Sequence, residues 1–176
     1  MLKEALLVSA MTMPNTNVQV TFDAWQNKTD DASAEPLSMT RRVIGAANTH
    51  LGGRLDASEI TVRFAFDDEV RSLNKQFCKK DAPTNVLSFP AAGMPGQEEA
   101  PLGDIILAYE TIEKEAKEQG KRFADHTCHL ILHGVLHLLG YDHDTDEKAS
   151  EMETLERKIL GELSISDPYG EDAHVQ

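Results

Sequence analysis

The sequence predicts one α/β (α+β) domain. Three observations predict it. Strand-like and helix-like periodicities alternate through the first two thirds of the chain, and helices close it. The length of 176 residues suits a single domain that buries its own core. Hydrophobic residues make up 40% and charged residues 27%, a balance that excludes both a disordered polymer and a membrane protein.

Taken in order, residues 1–15 are expected to form a loose extension before a domain spanning 16–170. The apolar run Ala5–Met11 follows Lys3, but Glu4 sits beside that lysine and the run is short, so a signal peptide is not expected. Met11 or Met13 is an alternative start. Val18–Thr21 reads as a first strand. Leu37–Leu51 carries apolar residues at helical spacing and stops at Gly52-Gly53. Ile60–Phe66 alternates with period two and is a second strand. Asp67 is expected to cap a helix over Asp68–Phe77. Asn85–Phe89 is a short strand closed by Pro90, and Ala91–Pro101, with two glycines and two prolines, is a loop. Gly103–Tyr109 is a fourth strand, nearly all apolar after Asp104 and so expected to be central. Thr111–Gln119, Phe123–Leu139 and Asp146–Leu163 are helices, the last with Met152, Leu155, Ile159, Leu160 and Leu163 on its buried side. The end of the chain from Ser164 is acidic, with 171–176 as a tail beyond the domain.

Charge and cysteine content narrow the function. Seventeen basic against thirty acidic residues give a net charge of −13, which excludes a protein that coats nucleic acid non-specifically. The charge is uneven. Residues 144–176 hold ten acids and three bases, whereas Arg71–Lys80 holds four bases (Arg71, Lys75, Lys79, Lys80) and no acid. That basic segment is either a solvated helix face or a phosphate contact. Two cysteines, Cys78 and Cys128, make no disulfide framework and suit a reducing, cytoplasmic setting. No stretch reaches the ~18 apolar residues that span a bilayer.

The segment that carries chemistry is HTCHLILHGVLHLLGYDH, His126–His143. Its apolar residues occupy nearly every helix face, the mark of a buried helix. Yet His126, His129, His133 and His137 form one stripe at spacings of three, four and four. Buried imidazoles need partners, and a metal is the economical one. Histidines at i and i+4 turn their rings to one point. His129 and His137 are eight residues apart, ~12 Å along the axis, and cannot share an ion with Zn–N bonds near ~2.0 Å. Gly140 can end the helix in a left-handed conformation, and Tyr141-Asp142 can return His143 to the pair His133 and His137. Three histidines with an open fourth position make a catalytic rather than a closed zinc site.

The spacing H-x3-H-x5-H, with a glycine three after the second histidine, is shared with the zincin-like metzincin proteases. Their general base is a glutamate directly after the first histidine. Here that position is Gly134, which speaks against a metallopeptidase.

Together these residues resemble the YbeY family of bacterial endoribonucleases, also described as rRNA maturation factors. The resemblance rests on HGVLHLLGYDH (His133–His143), KDAPTNVLSFP (Lys80–Pro90), LGDI (Leu102–Ile105), SLN (Ser72–Asn74) and DPY (Asp167–Tyr169). It implies a single domain with a small four-stranded mixed sheet and helices packed around a central histidine-bearing one. It also implies one Zn²⁺ on His133, His137 and His143, and cleavage of single-stranded RNA. The further implications are a role in 16S rRNA 3′-end maturation and ribosome quality control, contact with the small subunit or its proteins, and a monomer or weak oligomer. A ribosome-assembly factor with a structural zinc is the alternative, beside the metallopeptidase.

One position departs from the family. Its members carry an arginine where this chain has Cys78, and a guanidinium fork suits phosphate. Either a neighbouring cation, Lys79, Lys80 or Arg71, replaces it, or the chain is a weak nuclease that acts mainly in assembly; replacement by a nearby lysine is the favoured reading, so Lys79 joins His133 as a candidate catalytic residue. Arg71, Lys79, Lys80, Thr84, Asn85 and Ser88 are the candidate substrate contacts, although Thr84, Asn85 and Ser88 equally suit a turn and strand. Asp104 either orients a group in the site or pairs in the fold. Asp142 either holds a ligand histidine or completes its turn. His126 and His129 are expected to support the site or the core rather than ligate, and Cys128 and Met152 to pack.

Overall fold

The computed structural model describes residues 10–13, 16–21, 25, 34–92 and 101–170, with side chains at 25, 34–92 and 101–170. The described elements, in chain order, begin with β1 (Ala10–Met13), β2 (Thr16–Thr21), α1 (Pro36–His50), β3 (Ser58–Ala65) and α2 (Asp67–Cys78). They continue with β4 (Val86–Pro90), β5 (Pro101–Ala108), α3 (Tyr109–Glu118), α4 (Phe123–Leu138) and α5 (Asp146–Glu162).

The sheet is mixed, in the order β1-β2-β3-β5-β4. β3 runs parallel to β2 and β5, while β1 and β4 pair antiparallel to β2 and β5. Four strands were expected. β3, β5 and β4 form the part with described side chains, β2 extends it, and β1 adds a fifth strand inside the segment expected to be a loose extension. Residues 1–9 and the tail 171–176 lie outside the described residues.

Both faces of the sheet are covered, which explains the unbroken apolar run of β5. Ile105 and Leu107 face the main core with Ile60, Val62 and Phe64 of β3. Ile106 and Ala108 face the other way, into a smaller cluster with Ala65 and Val70 under α2. α4 lies in the main core. Ala124, Cys128, Leu130, Ile131, Leu132, Val135 and Leu136 are all buried on it. Helix and sheet approach closely at one point. A Cβ built on Gly134 would stand 2.9 Å from Cγ2 of Ile105, closer than side-chain carbons pack.

The expected cap by Asp67 is corrected. Phe66 is the N-cap of α2 and makes no side-chain cap bond. Asp67 instead accepts from the backbone N–H and the hydroxyl of Thr111 at 3.0 and 2.7 Å. Glu110 accepts in return from the Asp67 N–H at 2.9 Å. The two acids brace the first turns of α2 and α3 against each other, so tertiary contact wins over local capping.

Candidate metal centre

α4 ends where the sequence places its stop. Gly140 has φ of +91°, a conformation that costs glycine little, and the Tyr141 N–H bonds the Leu136 carbonyl at 3.0 Å. The reversal brings His143 back over the last turn of the helix. One nitrogen from each of His133, His137 and His143 then lies within 4.8 Å of the others. The His133 and His137 rings stand edge to face at 4.5 Å, and the His143 ring lies 5.7 Å from His133 and 5.0 Å from His137. His143 is exposed, so the cluster opens to solvent on that side.

Hydrogen bonds fix the protons. His137 Nδ1 lies 3.0 Å from the Tyr141 carbonyl, and His133 Nδ1 lies 2.8 Å from Oε1 of Glu156. A carbonyl and a carboxylate only accept, so both Nδ1 atoms carry a proton and both Nε2 atoms present a lone pair. Those two Nε2 atoms face each other at 3.0 Å. Lone pairs so directed repel unless a proton or a cation lies between them. Burial, followed by the neighbouring His133 and His143, holds the His137 pKa below its usual value, which disfavours the proton. The donor set therefore fits a cation. Three imidazoles without a carboxylate suit zinc and its transition-metal neighbours rather than magnesium or calcium.

A second group, His129, His133 and Glu156, also brings one donor atom each within 4.8 Å. It is the poorer metal site, because Nδ1 of His133 and both oxygens of Glu156 already have partners. His129 Nε2 stands 3.5 Å from Oε2 of Glu156 and 3.4 Å from the Tyr169 hydroxyl. Glu156 is wholly buried. Burial raises its pKa, but hydrogen bonds from His129 and His133 outweigh that and hold it down to about 2. The sequence reading missed Glu156. Its signal was a charged residue four after Met152 and three before Ile159, on the apolar side of α5.

The other expected residues separate. Arg71 and Lys75 both bond Asp81, at 2.7 Å each, so the acid just beyond the basic segment engages two of its four cations. Lys79 is the left-handed C-cap of α2, with its ammonium on the Gln76 carbonyl at 3.0 Å. Lys79, Lys80 and Cys78 are exposed. Buried Asn74 of the SLN motif bonds the Ala82 carbonyl at 2.8 Å and pins the loop that follows. Asn85 donates to the Glu115 carboxylate at 3.0 and 3.2 Å, and Glu115 accepts from His126 Nε2 at 2.8 Å. Its side chain is thus committed to a groove that runs from His133 past His129 to His126. Thr84 and Ser88 are half-buried, and alternation along β4 puts Ser88 on the same face as Val86, which lines that groove. Asp104 is exposed on β5. Asp142 accepts from the His143 N–H at 2.8 Å and completes the turn. Cys128 and Met152 are core residues, and burial pushes the Cys128 thiol up to about 12.

The family described as "Endoribonuclease YbeY" matches residues 20–164. The chain belongs to the YbeY family. It is 44% identical to the endoribonuclease YbeY of Rhodopseudomonas palustris (strain BisB5), over 96% of this chain and 88% of that one. It is 49% identical to that of Chelativorans sp. (strain BNC1), over 80% of this chain and 88% of that one. The solution structure of TM1509 from Thermotoga maritima shares this chain's fold. Its TM-score is 0.52 at 24% identity, covering 77% of this chain and 94% of that one.

Proposed function

We propose that this YbeY-family chain is a zinc-dependent endoribonuclease that cleaves single-stranded RNA. The observation that carries the reading is the convergence of two proton-anchored imidazoles, with His143, on one solvent-facing point. Zinc held there would supply a dipositive Lewis acid for a phosphodiester oxygen or a water. The chain's own residues do the rest. Glu156 and the Tyr141 carbonyl hold the His133 and His137 rings in the ligating tautomer. Lys79 and Lys80 offer the exposed cations for phosphate, with Lys79 standing in for the family arginine at Cys78. Phe77 is 58% exposed and packs edge to face on Phe89 at 5.2 Å. A bare aromatic ring beside lysines is a surface on which an unpaired base stacks.

The family's endoribonuclease name supports an RNA substrate, and within that reading rRNA precursor, 16S 3′-end maturation, ribosome quality control and the small subunit are the proposed setting. Two free cysteines support a cytoplasmic location, and among the described residues no helix is long and apolar enough to cross a membrane. The H-x3-H-x5-H site is zincin-like without zincin proteolysis. Gly134 leaves no base, and Ile105 occupies the space a larger side chain would need. Metal-loaded protein incubated with single-stranded RNA, rRNA precursor and casein tests the reading. It expects RNA cleavage alone, lost in His133→Ala; casein cleavage, or RNA cleavage that survives His133→Ala, refutes it.

A further inference from the structure

Glu156 is a carboxylate with no exposed surface, set into the apolar stripe of α5 between Met152 and Ile159. Buried charge is costly unless it is fully partnered, and here each oxygen has a partner. Oε1 accepts from His133 Nδ1 at 2.8 Å, and Oε2 accepts a short hydrogen bond from the Tyr169 hydroxyl.

Tyr169 is itself held. It belongs to the DPY turn, which is tied to the body at three points. Asp167 accepts from the Tyr169 N–H at 2.9 Å and pairs with Arg157 of α5 at 3.2 Å. The Arg157 guanidinium lies 5.1 Å from the centre of the Tyr169 ring. Lys121, before α4, donates to the Pro168 carbonyl at 2.9 Å. The hydroxyl is thereby fixed over Glu156, and Glu156 over the back of His133.

We propose that Glu156 and Tyr169 are positioning residues of the metal centre. Glu156 sets the tautomer and rotation of His133, and the DPY turn latches Glu156 through Tyr169. A ligating imidazole whose far nitrogen is bonded to a carboxylate is a stronger and better-aimed donor, and outer partners of this kind change metal affinity by ~10–100-fold. Buried Glu156 thus acts through His133, and Tyr169 acts through the hydroxyl it donates to Glu156.

The inference rests on the reading that His133, His137 and His143 hold the metal, and the experiment separates the two. Zinc dissociation constants are measured by chelator competition on wild type, His137→Ala, His129→Ala, Glu156→Gln and Tyr169→Phe, beside the melting temperature of each metal-free protein. Glu156→Gln keeps the shape but leaves one acceptor oxygen where His133 points to one oxygen and Tyr169 and His129 to the other. It should weaken zinc binding ~10–100-fold. Tyr169→Phe removes one hydroxyl and should weaken it by less. Cobalt substitution should give altered visible bands in both, a signature that a loss of stability alone does not produce. If Glu156→Gln does not fold, Tyr169→Phe carries the test. Unchanged zinc affinity and cobalt bands, with only a lower melting temperature, would make the pair structural and overturn the inference. Loss of zinc in His129→Ala but not His137→Ala would make Glu156 a ligand and overturn both. A wild type that takes up no zinc would overturn the metal reading itself.

Discussion

Gly134 stands where a metzincin carries its catalytic glutamate, and the structure gives the position a packing role that can be measured. In Gly134→Ala the new methyl would lie 2.9 Å from Cγ2 and 3.1 Å from Cγ1 and Cδ1 of Ile105. Carbon atoms pack at ~3.5–4.0 Å, so helix and strand must part by several tenths of an ångström. Ile105 is fully buried on an interior strand and cannot swing aside. Overpacking of this kind costs about 1–3 kcal/mol. Alanine returns about 1 kcal/mol through its better helix propensity. The balance is a net loss of about 1 kcal/mol, or ~2–4 °C in melting temperature for a chain of this size. Gly134→Glu adds a carboxylate with no partner in the core and should cost several kcal/mol more, without conferring casein cleavage. Thermal and urea unfolding of both variants provide the assay. A melting temperature for Gly134→Ala that rises, as at an exposed helical glycine, would refute the close approach of α4 to β5. A folded Gly134→Glu that cleaves casein would refute the exclusion of the peptidase.

Five further outcomes are expected. Purified protein should hold about one zinc, as a three-histidine site implies, lost in His137→Ala and largely kept in His129→Ala, by metal analysis of each. Replacing Lys79 and Lys80 by alanine should weaken RNA binding and flatten its salt dependence without changing zinc content, and Phe77→Ala should weaken single strands more than duplex; Cys78→Arg should raise cleavage only modestly, and a gain of orders of magnitude would show that no lysine replaces the family arginine. Burial holds the pKa of His126 below 6.5 against the pull of Glu115, so the unfolded chain binds a proton near pH 6.5 that the folded chain refuses until lower pH. Metal-free protein should therefore lose stability as pH falls from 7.5 to 5.5, and denaturation of His126→Gln should show a smaller loss.

What was legible in the sequence follows from how local each signal is. α4 was legible because its apolar residues leave no polar face while histidines recur every turn, and both patterns lie within one helix. The approach of His143 was legible because a glycine reversal two residues past the helix leaves the chain few directions. β5 was legible as an interior strand from its two apolar faces. Other features needed partners distant in sequence. Glu156 meets His133 across 23 positions, so on its own helix it looked like one more acid on a charged surface. Asp67 offered its carboxylate to Thr111, 44 positions on, rather than to its own helix. The basic segment looked unopposed because the window ended at Lys80, one residue before the acid that pairs Arg71 and Lys75. β1 carries too few alternating residues to stand out without β2 beside it.

The central claim is that three histidines hold a metal on which RNA cleavage depends. It is tested most directly by stripping the protein with a chelator and titrating zinc back during cleavage of an end-labelled single-stranded RNA. The account predicts no cleavage by the stripped protein and a rate that rises with added zinc and levels off at about one equivalent, a response absent in His137→Ala. Cleavage that continues undiminished after the zinc has been removed would contradict it.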